Sequence, residues 1–208
     1  MSDNDIERLQ EAIQLLESGM TSEAIGILEE LVKIRPDMIE AWYNLGYAFY
    51  EAEKYEEALK AYDEALAIDN FIFDIWFNKG NTLYAMKDYE NARECYEEAL
   101  EINPDDAEAW NNIGNCHSRL ADGRAAIEAY TRAVALRPDY AEAFYNKANA
   151  HFIEEEDEKA VTYGEYAVRL DPSLTDMVGQ WINVAKNRIA ARRDDEEHKR
   201  GQLSKVED

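Results

Sequence analysis

The chain repeats itself every 34 residues, and that period constrains its fold more than any other feature of its 208 residues. In the register 5–38, 39–72, 73–106, 107–140 and 141–174, position 20 is alanine in all five repeats: Ala24, Ala58, Ala92, Ala126 and Ala160. Position 8 is always small (Ala12, Gly46, Gly80, Gly114, Ala148). Position 4 is Trp42, Trp76, Trp110 and Phe144 in the last four repeats, and position 24 is Tyr62, Tyr96 and Tyr130 in the middle three. Pro36, Pro104, Pro138 and Pro172 stand at position 32, with Asn70 in the remaining slot.

Two antiparallel helices approach to about 8 Å only where the side chains between them are small, so position 8 is expected to face the small residues at 20 and 27. The aromatic at 4 and the tyrosine at 24 fill the remaining space. Each buries ~150–250 Å², which at ~25 cal/mol per Å² is roughly 4–6 kcal/mol before entropy. One 34-residue hairpin cannot enclose such faces alone, so stacked neighbours must supply the missing walls. Proline at 32 ends each second helix. The pattern predicts first helices at 5–18, 39–52, 73–86, 107–119 and 141–154, and second helices at 21–34, 55–68, 89–102, 123–136 and 157–170. Asp37 with Glu40, Asp105 with Glu108, Asp139 with Glu142 and Ser173 with Asp176 have the spacing of a capping box, which predicts an N-cap at the first member of each pair.

The ends depart from the pattern. Arg8 and Glu11 are polar where later repeats are apolar, as suits a first repeat with no neighbour before it. Gly164 replaces tyrosine at position 24 of the fifth repeat, and Met177, Trp181, Val184, Ala185 and Ile189 recur beyond it at helical spacing. A capping helix is expected over 175–191, with Trp181 filling space that Gly164 leaves. The charged stretch 192–208 is expected to fray into solvent.

The run from Ile39 to Ile72, with Trp42, Leu45, Gly46, Phe49, Ala58, Tyr62 and Ala65 at positions 4, 7, 8, 11, 20, 24 and 27, resembles the tetratricopeptide repeat (TPR). The resemblance implies an all-α, right-handed α-solenoid of five repeats, 5–38 and 141–174 being the end repeats. It also implies a concave groove lined by positions 2, 5, 6, 9, 12 and 13 of the first helices. Carried onto this chain, those positions give an aromatic half of Tyr43, Tyr47, Tyr50, Phe77 and Tyr84, and a polar half of Asn111, Asn115, Ser118, Arg119 and Asn149 interrupted by Tyr145 and Phe152. Position 6 is Asn44, Asn78, Asn112 and Asn146, and position 9 is Asn81, Asn115 and Asn149 in the last three repeats. An amide offers a donor and an acceptor and can hold a peptide unit without reading its side chain. The row resembles the asparagine ladders by which some members of the family grip extended chains. Asparagine is also common at these positions in idealised repeats, so repeat consensus is the competing reading. Glu40, Asp74, Glu108 and Glu142 at position 2 form an acidic rim, which helix-dipole complementarity also explains. The clamp by which one subclass binds carboxylate termini needs basic residues where this chain has Phe77, Glu142 and Asn146, so that function is excluded.

Formal net charge is −23, and residues 186–208 carry seven basic and six acidic side chains, which leaves −24 on the rest. Such a body repels phosphate backbones and anionic lipid, so no nucleic acid is expected as a partner. No apolar run is long enough to span a bilayer, and the acidic, polar start MSDNDIERLQ has no basic region followed by an apolar one, so a secretory signal is not expected. Two cysteines make no disulfide framework, pointing to a reducing, cytoplasmic setting. His117 and His151 share position 11 but have no finger-type ligand spacing, and the acidic run 154–158 reads as a solvated turn that starts a helix. No enzymatic activity, metal or cofactor is expected. The expected function is a scaffold or adaptor that binds a neutral or basic peptide segment. A self-associating structural module and an assembly or secretion chaperone are the alternatives.

Overall fold

The computed structural model describes residues 3–204. Eleven α-helices make up those residues: α1 (Asp3–Glu17), α2 (Thr21–Ile34), α3 (Ile39–Glu51), α4 (Tyr55–Ile68), α5 (Phe73–Ala85), α6 (Tyr89–Ile102), α7 (Ala107–Arg119), α8 (Gly123–Leu136), α9 (Ala141–Ile153), α10 (Asp157–Leu170) and α11 (Thr175–Ser204). A 3-10 turn, Pro172–Leu174, precedes α11. Odd-numbered helices up to α9 are the first helices of the repeats, and each packs on the helix that follows it. The chain divides into two compact halves at Asp105–Asp106.

Each first helix ends in the same way. In the second repeat the Lys54 N–H reaches back to the carbonyl of Phe49 (2.8 Å) and the Glu53 N–H to that of Tyr50 (2.9 Å), which is the Schellman closure. The residue at position 15 takes a left-handed conformation in all five repeats: Gly19, Glu53, Lys87, Ala121 and Glu155, with φ between 57 and 75°. Only Gly19 suits that conformation without steric penalty. Ala121→Gly is therefore expected to stabilise the protein by about 0.5–1 kcal/mol, read as a raised urea midpoint at unchanged slope.

The helices α3, α5, α7 and α9 begin at the expected residues, but their caps stand one residue later than the capping-box spacing predicts. The N-caps of α3, α5, α7 and α9 are Met38, Ile72, Asp106 and Tyr140, all at position 34 rather than 33. The residues after the proline close a turn first, with Met38 N–H on Arg35 O and Tyr140 N–H on Arg137 O (both 3.1 Å). Asp37 lies inside its turn and pairs with Arg35 at 2.9 Å. Asp106, not Asp105, caps α7 by accepting from the Ala109 N–H at 2.8 Å. Ser173 lies within the 3-10 turn, whose own cap is Asp171.

Positions 20 and 27 are fully buried in every repeat, from Ala24 and Leu31 to Ala160 and Ala167. Position 8 faces a different partner from the one expected. A Cβ on Gly46, Gly80 or Gly114 would lie 2.5, 2.7 or 2.5 Å from the ring of Tyr62, Tyr96 or Tyr130. The glycine makes room for a tyrosine edge. In the fifth repeat the sizes are exchanged. Ala148 and Gly164 occupy the two positions, and the Trp181 ring comes within 2.8 Å of where a Gly164 Cβ would be. In the N-terminal half, the indole N–H of Trp42 donates to Pro36 O (3.0 Å) and that of Trp76 to Asn70 O (2.9 Å). Asn70 can replace proline because its carbonyl performs the same tethering.

The last helix continues to Ser204, well past the expected end at 191. Asp194 and His198, and Asp195 and Lys199, stand four residues apart with the acid first, a spacing that supports an isolated helix. The final four residues of the expected tail lie outside the described residues. No described helix is long and apolar enough to cross a membrane.

Candidate interaction surface

In the N-terminal half, the face of α3 and α5 predicted to line a groove carries five aromatic side chains in the half-buried to exposed range. Tyr47 is exposed, while Tyr43, Tyr50, Phe77 and Tyr84 are half-buried. Neighbouring rings hold them: Phe77 meets Phe73 and Tyr96 (centroids 5.5 and 5.6 Å), Tyr84 meets Tyr89 (5.1 Å), and Tyr50 meets Tyr55 (5.9 Å). A cleft of about 160 Å³ opens between the starts of the two helices, floored by Ile39, Tyr43, Ile72 and Ile75 and flanked by Glu40 and Asp74. Burial raises the Tyr43 phenol above its usual range, aided by the Asp74 carboxylate.

Most of the amides assigned to the groove are already engaged. Asn44 and Asn78 each donate to the carbonyl one turn earlier, at Glu40 (2.7 Å) and Asp74 (2.8 Å). Asn78 also donates to the Tyr43 hydroxyl at 3.3 Å. Asn81 accepts from the Tyr96 hydroxyl at 2.7 Å. In the C-terminal half, Asn115 accepts from Tyr130 (2.8 Å), and Asn146 donates to both Asn111 (3.1 Å) and Asn115 (3.2 Å). Asn111 is 1% exposed, so it lies beneath the surface rather than on it. Asn112, Asn149 and Tyr145 are half-buried and Arg119 is exposed, as are Glu108 and Glu142 in the first turns of α7 and α9. Within each half, Asn78 and Asn146 tie one first helix to the next, and Asn81 and Asn115 anchor position-24 tyrosines, so only the remaining donors and acceptors can face a ligand.

One tyrosine lacks that anchor. Position 9 of the second repeat is Tyr47 instead of asparagine, and among the described residues the fully buried Tyr62 hydroxyl has no hydrogen-bond partner. Burial pushes its phenol far above the usual range. Tyr62→Phe is accordingly expected to be neutral or slightly stabilising. Tyr96→Phe and Tyr130→Phe should each lose about 1 kcal/mol, because each removes a hydrogen bond from a buried tyrosine to a half-buried asparagine oxygen. Thermal melts of the three variants check the difference.

Comparison with known proteins fits this arrangement. Family models described as tetratricopeptide repeat match residues 73–106 and 107–140, and a second of the same description matches 9–71. The chain belongs to the tetratricopeptide repeat family. Among solved structures, a MamA fragment from Desulfovibrio magneticus RS-1 is 22% identical, with a TM-score of 0.78 over 83% of this chain and 98% of that one. Another MamA structure is 17% identical, with a TM-score of 0.76 over 85% and 96%. YrrB, titled a TPR protein with an unusual peptide-binding site, is 22% identical, with a TM-score of 0.70 over 82% and 89%. These likenesses share the TPR solenoid fold. No curated protein matches the sequence. TPR repeats are protein-interaction modules, and this chain carries that scaffold.

Within the TPR frame, the acidic run 154–158 starts α10 as expected, but one of its residues departs from a solvated role. Four of its residues are exposed, but Asp157 is fully buried and pairs with Arg188 (2.7 Å) and Arg192 of α11. Glu156 pairs with Lys159 (2.9 Å) and with His151 Nδ1 (2.6 Å). His151 is buried and stacks on Tyr163, with centroids 5.4 Å apart, and burial lowers its pKa. His117 stands 3.8 Å from Asp122. Among the described residues, no group of three or more His, Cys, Asp or Glu side chains is placed to hold a metal ion. Both cysteines are buried free thiols, and burial pushes Cys95 up to about 11. The arginines four apart on the continuing helix were the sequence signal for the Asp157 pairing.

Proposed function

We propose that this TPR protein is a non-enzymatic adaptor that binds a peptide segment, extended or helical, on the first-helix surfaces of its repeats. The observation that carries the reading is the acid-flanked apolar cleft between α3 and α5, beside the exposed Tyr47. Aromatic rings there offer contact area at low entropic cost. The amide-rich surface of α7 and α9 orients backbone through its unengaged groups. Glu40 and Asp74, on a body of net charge −23, favour neutral or basic segments. A peptide-binding site is named on YrrB, which shares the fold. Two buried free thiols accord with a cytoplasmic setting.

Affinity capture from source extract tests this reading, with wild type beside Tyr47→Ser/Asn149→Ala. Neither side chain is buried in the core: Tyr47 is exposed, and Asn149 is half-buried. Partners that bind wild type and are lost with the variant support it, whereas equal recovery contradicts it. The exposed Met177 and Val184, seven apart on α11, favour self-association as a second reading. Light scattering over a concentration series separates the two, since the adaptor stays monomeric without its ligand.

A further inference from the structure

The aromatic at position 4 is covered from within the chain in three of the four repeats that carry one. In the third repeat the Lys79 ammonium, from position 7, lies 5.2 Å from the Trp76 ring centroid and 2.6 Å from Asp63 of α4. In the fourth, the Arg132 guanidinium, from position 26, lies 4.9 Å from the Trp110 ring. In the fifth, Tyr166 at position 26 meets Phe144 edge-on at 4.6 Å. The second repeat has Leu45 at position 7 and Glu64 at position 26, and among the described residues no cation stands over Trp42.

A cavity of about 340 Å³ opens at that place, between α2 and α4, with Trp42, Leu45 and Phe49 of α3 among its lining. Glu29 also lines it, and Glu29 holds position 25 of its repeat, as Asp63 does in the next. The carboxylate and the indole that enclose an ammonium in the third repeat are therefore both present in the second, and Glu64 adds another carboxylate where Arg132 supplies a cation. Lys33 and Lys60 rim the cavity four residues from Glu29 and Glu64, and neither lies over the ring.

We propose that this cavity is a binding site for a lysine or arginine side chain of a partner protein, received over the Trp42 face between Glu29 and Glu64. An indole face attracts a cation through its quadrupole, most strongly where water is displaced. Flanking carboxylates supply the counter-charge, and the acidic body raises the local concentration of basic segments. Trp42, Leu45 and Phe49 share one face of α3, and Tyr43, Tyr47 and Tyr50 lie on another, so the site is separate from the first-helix surface.

The test follows the indole N–H resonances of the nitrogen-15-labelled full chain, with Trp42 assigned from Trp42→Phe. N-acetyl-lysine methylamide is the probe and N-acetyl-norleucine methylamide the uncharged control. The expected result is a saturable shift of the Trp42 signal with the lysine probe alone, with Trp76 and Trp110 responding far less. Glu29→Gln/Glu64→Gln should weaken that response about fivefold or more. Both glutamates are exposed, so the variant keeps the fold, which circular dichroism verifies. A Trp42 shift no larger than those of Trp76 and Trp110, an equal response to norleucine, or an unaltered affinity in the double variant overturns the proposal. So does a response that appears only in Lys33→Ala/Lys60→Ala, because the chain's own lysines would then fill the site.

Discussion

Trp181→Ala is expected to destabilise the C-terminal half by about 3–5 kcal/mol, lowering its urea midpoint and melting temperature together. The indole is 7% exposed, clusters with Ala148, Ala160 and Val178, and stacks on Phe152 at 5.2 Å between centroids. Removing it opens a cavity that Gly164 cannot fill, because glycine has no side chain to move into it. Trp181→Phe should lose less, since a ring remains and the indole N–H, which has no partner among the described residues, is removed. The other repeats suggest a rescue. Ala148→Gly/Gly164→Tyr in the Trp181→Ala background recreates the glycine–tyrosine pairing of Gly114 with Tyr130, and it should recover part of the loss. If Trp181→Ala melts like wild type, α11 does not cap the fifth repeat.

Arg188→Ala/Arg192→Ala carries the second large effect, about 3–5 kcal/mol, because it leaves the fully buried Asp157 carboxylate without a counter-charge. The Arg188 guanidinium also covers the Phe152 ring at 4.5 Å, so some of the loss is packing. Adding Asp157→Ala to the double variant separates the two contributions. An uncompensated charge predicts that the triple variant is more stable than the double, a coupling that chemical denaturation reads directly. Equal stability of the two would mean that the arginines act through packing alone.

Sequence periodicity specified the helices closely and their contacts less so. The second helices of all five repeats, from Thr21–Ile34 to Asp157–Leu170, begin and end where the pattern put them, because the turn at 15 recurs at fixed spacing and position 32 is proline in every repeat but the second, which has Asn70. The N-caps were displaced by one residue, since the capping-box pattern does not record that Asp37 and Asp139 are held inside a turn. The spacing put asparagines 6 and 9 on a shared surface but carried no information on rotamers. It therefore missed that Asn81 and Asn115 accept from Tyr96 and Tyr130, and that Tyr62 is left without the same bond. Asp157 was concealed by its neighbours: in a run of five acids, the one that turns inward is identified only by arginines 31 and 35 residues away. The uncovered face of Trp42 could be read only by comparing positions 7 and 26 across repeats once the capping geometry was visible.

The measurement that tests the account most directly places a photo-reactive benzoylphenylalanine at position 47, on the first-helix surface, and in a separate chain at position 101, an exposed site on α6. Each is irradiated in source extract, and the cross-linked peptides are mapped. The account predicts one or more partner segments of neutral or basic composition joined at position 47 and missing at 101. Cross-links confined to position 101, or the same products from both, would contradict binding at the first-helix surface.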